Sequence, residues 1–196
     1  MHILMIHGGL WENVDAEQFW HRPGIASALH DAGHTVLTPD RLTRPTNWRA
    51  DTDHVAAFLP TTPCALIGAS NGCTIAARLA ALHPHVVTSL LLAWPATCGD
   101  EERDAKFRAY LQQEGAAPDT VADLVNGQTL RGVADAALKE LGMPVSVMAA
   151  PETSPAHQPH TAHRLAALTR ATMLEHIQNR SRPISPNTKK TVWIRC

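Results

Sequence analysis

In the run Cys64-Ala65-Leu66-Ile67-Gly68-Ala69-Ser70-Asn71-Gly72-Cys73, a serine sits between two glycines where an apolar strand end meets an alanine-rich helical segment, Thr74 to Leu82. The glycines let a sharply turned backbone cross close to neighbouring elements. Ser70 is thereby pushed out at the C-terminal edge of the strand, above the N–H groups of a helix N-terminus. A hydroxyl so placed is a candidate nucleophile for acyl transfer, in which fixed amides that hold the developing oxyanion are worth about 3 kcal/mol of barrier each. A second segment of interest opens the chain. His2-Ile3-Leu4-Met5-Ile6 reads as a short apolar strand and runs at once into His7-Gly8-Gly9-Leu10-Trp11, which taken alone is a strand-to-loop turn.

These residues need a scaffold, and the rest of the sequence supplies alternating strands and helices. Ala16 to Asp31 forms a helix interrupted near Pro23 and stopped at Gly33. Thr35 to Asp40 follows as a strand, and Asp51 to Leu59 as a helix, with Pro60 and Pro63 bounding the link into the Ser70 strand. Val86 to Ala93 is a continuous apolar run and hence a central strand, closed by Trp94-Pro95-Ala96, where Trp94 serves either as core or as a pocket wall. Val145 to Ala149 and Thr172 to Ile177 read as further strands. This alternation predicts an α/β fold with a mostly parallel, doubly wound sheet. Asp100 to Leu141 differs in character. It is helical, charged in its first part and interrupted at Gly115, Pro118, Gly127 and Gly132. Its apolar positions, among them Phe107, Leu111, Val121 and Leu124, recur at helical spacing and are expected to pack against the body.

The 196 residues suit one domain with a sizeable core. A formal charge of −1 argues against a nucleic-acid or anionic-membrane partner held by bulk electrostatics. No apolar run approaches a membrane-spanning length, and the first residues lack the regions of a signal peptide, so a cytoplasmic protein is expected. Cys64, Cys73, Cys98 and Cys196 show no metal-ligand spacing. Cys64 and Cys73 read as small buried hydrophobes.

Gly68-Ala69-Ser70-Asn71-Gly72 resembles the nucleophile elbow of the α/β-hydrolase superfamily, and His7-Gly8-Gly9 resembles the histidine-glycine loop after its third strand. The resemblance implies a minimal α/β-hydrolase fold that begins at that third strand and spans 1–178, with a short helical lid at about 100–142. It further implies an oxyanion hole made by the N–H of Gly9, or alternatively Leu10, with that of Asn71. The triad acid belongs in the loop after the Val145–Ala149 strand, where Glu152 is the only carboxylate; the family more often has aspartate, and a shift of one residue would put Thr153 in its place. The family's histidine follows the last strand. No histidine follows His176, so His176, which keeps the order of serine, acid and histidine, is the first candidate base, with His157, His160 and His163 as the others. The last three could also suggest metal ligands at i and i+3, but Pro159 is expected to disturb their helix and no fourth ligand is evident. From Asn179 onward there are three arginines, two lysines and no acidic residue. Residues 179–196 therefore read as an atypical basic tail, divergent, truncated or frame-altered, in place of the usual closing helix.

The resulting expectation is a serine-dependent hydrolase, free of cofactor and metal, acting through an acyl-enzyme on an ester, thioester, lactone or related small-molecule carbonyl substrate. The alternative is a non-catalytic small-molecule-binding protein, or an inactive relative that has lost its histidine. Oligomeric state is left open.

Overall fold

A computed structural model of the chain describes residues 1–151, 157 and 159–174. Six parallel strands, β1 (His2–Ile6), β2 (Thr35–Leu37), β3 (Cys64–Ala69), β4 (Val87–Ala93), β5 (Val145–Met148) and β6 (Thr172–Leu174), form one sheet in the order β2-β1-β3-β4-β5-β6. The chain moves outward from β1 to β2, then crosses back to β3 and proceeds the other way. Between β1 and β3 the connections leave in opposite directions, and the crevice at the carboxyl ends of those strands is where an open parallel sheet binds ligands. Both segments singled out above end there.

The helices lie on both faces of the sheet because the strands are apolar on both faces. Along β1, Ile3 and Met5 join one core, whereas Leu4 and Ile6 join the other, as the two-residue period of a strand requires. The first core is covered by a π-helical turn (Glu17–His21) and by α1 (Ile25–Asp31), through Trp20 and Ala26. The second is larger. It takes in α2 (Trp48–Ala56), α3 (Gly72–Leu82) and α7 (Pro159–Thr169), together with the segment between β4 and β5, which folds into α4 (Glu101–Gln113), α5 (Pro118–Val125) and α6 (Asp135–Lys139).

Several boundaries differ from the sequence expectation for local reasons. Helix α2 begins at Trp48 rather than Asp51, because the Asn47 side chain accepts the Ala50 N–H at 2.7 Å and caps the helix earlier. Strand β2 stops at Leu37, two residues before Pro39, which has no N–H to give a ladder. Pro159 does not disturb the helix carrying His160 and His163: it is the first residue of α7, where its missing N–H has no intrahelical partner to lose. Among the described residues, no helix is long and apolar enough to cross a membrane.

Candidate active site

Strand β3 delivers Ser70 into a turn with φ of +52°, and α3 starts two residues later. A left-handed serine costs on the order of 1–2 kcal/mol and persists only where its surroundings hold it. The Ser70 N–H donates to the Ala93 carbonyl at the end of β4 at 2.9 Å, and the Ser70 carbonyl accepts from Cys73 N–H at 3.1 Å and Ala96 N–H at 3.3 Å. The flanking glycines are required by close approach. A Cβ on Gly68 would lie 2.6 Å from the Gly72 carbonyl oxygen, and one on Gly72 would collide with the carbonyl oxygens of Ile6 and His7.

That second collision shows how the two loops meet. In the β1–β3 register Ile6 is opposite Gly68, so His7-Gly8-Gly9 passes directly over Ala69 and Ser70. A Cβ on Gly8 would sit 2.9 Å from the Ser70 Cβ. Gly9 has φ of +76° and Asn71 stands at the start of α3; neither amide has a hydrogen-bond partner among the described residues. The Leu10 amide, the alternative donor, is engaged by the Glu12 carboxylate.

A buried polar cluster behind the first loop fixes it. Arg41 Nη1 donates to the carbonyl oxygens of His7 at 3.1 Å, Gly8 at 3.3 Å and Gly9 at 2.7 Å, while its Nε and Nη2 donate to Asp51 Oδ2 at 3.1 and 2.6 Å. The Arg41 N–H donates to His7 Nε2 at 3.0 Å, which leaves the proton on Nδ1, 2.7 Å from the Gly8 carbonyl. Burial pushes His7 below the ordinary imidazole range, against the Gly8 bond that raises it. His7 is therefore a neutral, structural ring.

His157 brings its Nε2 to 2.9 Å from Ser70 Oγ. Burial, then the positive charges of Arg131 and Arg103, push this imidazole down to about 4. A neutral ring can accept the serine proton. Among the sequence candidates, His157 is thus the histidine against Ser70. His160 and His163 lie on α7, and Glu152 and His176 lie outside the described residues. A cavity of about 200 Å³ opens over the pair, lined by Ser70, Asn71, His157, Glu12, Ala96, Arg103, Lys106, Phe107 and Arg131. Among the described residues, two larger depressions, of about 510 and 660 Å³, lie elsewhere, and neither is lined by a serine, cysteine or histidine.

Sequence reasoning passed over Arg41, Asp51 and Arg131. A signal for Asp51 was available: Trp48, Asp51, Thr52 and Val55 share the buried face of α2, and a carboxylate on such a face requires a buried partner.

Six parallel strands in this order, with helices on both faces and a left-handed serine between β3 and α3, make this chain an α/β-hydrolase fold. No family model matches the sequence, and no curated protein does. Among solved structures, it is similar to a putative non-heme bromoperoxidase from Mycobacterium tuberculosis, at 19% identity and a TM-score of 0.69 over 89% of this chain and 82% of that one. It is also similar to the thioesterase domain from the curacin biosynthetic pathway, at 15% identity and a TM-score of 0.63 over 89% and 83%. A meta-cleavage product hydrolase gives 14% identity and a TM-score of 0.63 over 89% and 81%. Identities this low establish the shared fold alone.

Proposed function

We propose that the protein is a serine hydrolase that cleaves a small carbonyl substrate, an ester, thioester or lactone, through an acyl-enzyme. The observation that carries this reading is the left-handed Ser70 with its Oγ 2.9 Å from the Nε2 of a half-buried histidine. Ser70 Oγ attacks the carbonyl carbon as its proton passes to His157 Nε2. The oxyanion is held by the N–H groups of Gly9 and Asn71 until it collapses and the leaving group departs with the proton from His157. Water then attacks the acyl carbon, again giving its proton to His157, and Ser70 is restored. Glu152, five residues before His157 in the chain, is the carboxylate proposed to orient the ring. A thioesterase domain is among the structures that share this fold, which supports a thioester as one of the substrate classes.

The second reading, a binding protein that keeps the pocket without turnover, draws on the atypical tail, which contains no histidine. Stopped-flow hydrolysis of p-nitrophenyl acetate separates the two. The hydrolase reading expects a burst of about one equivalent of nitrophenol, absent from Ser70→Ala; a wild-type trace indistinguishable from Ser70→Ala would favour the binder.

A further inference from the structure

Three cations, Arg103, Lys106 and Arg131, line the cavity over Ser70 against a single carboxylate, Glu12. Glu12 is taken up by the Leu10 amide on the loop after β1. The cations come from a different wall: Arg103 and Lys106 from α4, and Arg131 from the turn between α5 and α6.

Arg131 is built into place. Its carbonyl accepts from Thr74 Oγ1 at 2.8 Å, and the next carbonyl, of Gly132, accepts from Arg78 Nη1 at 2.8 Å, which ties the turn to α3. The guanidinium lies over the Phe107 ring at 4.0 Å and gives Nη2 to Asp104 at 3.3 Å. The residue is only 8% exposed, yet its Nε has no hydrogen-bond partner among the described residues. A buried donor left without an acceptor is costly, and a ligand oxygen removes that cost. Lys106 spends its charge on Glu102, but both of those side chains are largely exposed, so the lysine is free to turn toward a bound anion. Arg103 is paired with Asp100 at 3.6 Å, and its charge, with that of Arg131, still lowers His157.

We propose that the substrate is an ester or thioester whose acyl chain ends in an anionic group, a carboxylate or a phosphate, bound by Arg131 with Arg103 and Lys106 beside it. This rests on the serine-hydrolase reading and narrows it. A cavity of about 200 Å³ suits a short chain, with the carbonyl at Ser70 and the anion at the arginine wall. Glu12 repels the same anion from the oxyanion loop, so the chain binds in one direction.

The test uses the full-length protein with three esters: mono-p-nitrophenyl glutarate, p-nitrophenyl 4-phosphonobutanoate and the neutral p-nitrophenyl hexanoate. At low ionic strength, kcat/KM for at least one anionic ester exceeds that for the neutral ester by about tenfold or more, and added salt shrinks the ratio. Which anionic ester is preferred tells carboxylate from phosphate. In Arg131→Gln and in Lys106→Gln the anionic-to-neutral ratio falls severalfold. Lys106 is exposed, so its variant remains informative if the buried Arg131→Gln fails to fold. Equal or lower kcat/KM for both anionic esters while the hexanoate is turned over overturns the proposal. If no ester is turned over, the nucleophile reading has failed separately. Quenching of tryptophan fluorescence by monoethyl glutarate and by ethyl hexanoate then decides: tighter binding of the anion supports the subsite, and equal binding overturns it.

Discussion

Arg41 donates Nη1 to the Gly9 carbonyl oxygen at 2.7 Å, and the same nitrogen reaches the carbonyls of His7 and Gly8. Three successive carbonyls drawn toward one buried guanidinium leave the loop little freedom to reorient its amides. Asp51 neutralises that charge, and the side chains of the pair are 2% and 0% exposed. Breaking such a pair leaves a buried charge uncompensated, which typically costs about 3–5 kcal/mol. Arg41→Ala is therefore expected to lose stability of that order in urea unfolding. A loss under about 1 kcal/mol would mean that the pair is solvated.

Gly8 abuts Ser70 so closely that a methyl group there meets the Ser70 Cβ at 2.9 Å and the Phe19 ring at 3.1 Å. Gly8→Ala should displace either the loop or the serine. We expect esterase kcat to fall by about a hundredfold while the far-UV spectrum stays unchanged. A variant as active as the parent would place the loop farther from Ser70.

The pH dependence follows from His157, held at about 4 instead of 6.5. With the neutral ring as the proposed proton acceptor, kcat/KM should rise through about pH 4 and be level above it. An acid limb near pH 6.5 would mean that neither desolvation nor the arginine charges lower His157. The sign for stability is the same. Between the two values the unfolded chain binds more protons than the folded one, so stability present above pH 6.5 is lost as the pH falls toward 4, on the order of 3 kcal/mol from this residue. His7, also lowered by burial, adds to the loss. Urea midpoints measured between pH 4 and 7 should rise with pH.

The choice of base can be tested by removing one histidine at a time. His157→Ala should lower kcat by about a thousandfold or more, leaving what the oxyanion hole and binding supply. His176→Ala should retain most of the activity. The reverse pattern would put the base after the last strand, where the family has its histidine. Glu152→Gln should lower kcat with little change in KM if that carboxylate orients the ring.

Much of the fold was legible because its signals are local. The run from His2 to Ile6 and the run from Cys64 to Ala69 are apolar on both faces, as buried parallel strands are, and glycines mark the turns after them. Ser70 could be read for the same reason, since a strand, a tight turn and a helix are adjacent in sequence. The histidine is a different matter. His157 meets Ser70 across 87 positions of chain, and no pattern in the sequence encodes which of several histidines a loop will bring there. Arg131 was hidden similarly: it belongs to a turn read as part of a helical lid, and its value lies in contacts with Thr74, Phe107 and Asp104, all distant in the chain.

The central claim is that Ser70 is an activated nucleophile, and covalent labelling tests it most directly. The protein is treated with a fluorophosphonate probe at neutral pH, digested, and mapped by mass spectrometry beside Ser70→Ala and His157→Ala. The account predicts a single adduct on the peptide containing Ser70, absent from Ser70→Ala and strongly slowed in His157→Ala. No adduct under conditions that label known serine hydrolases, or an adduct that survives Ser70→Ala, would contradict it.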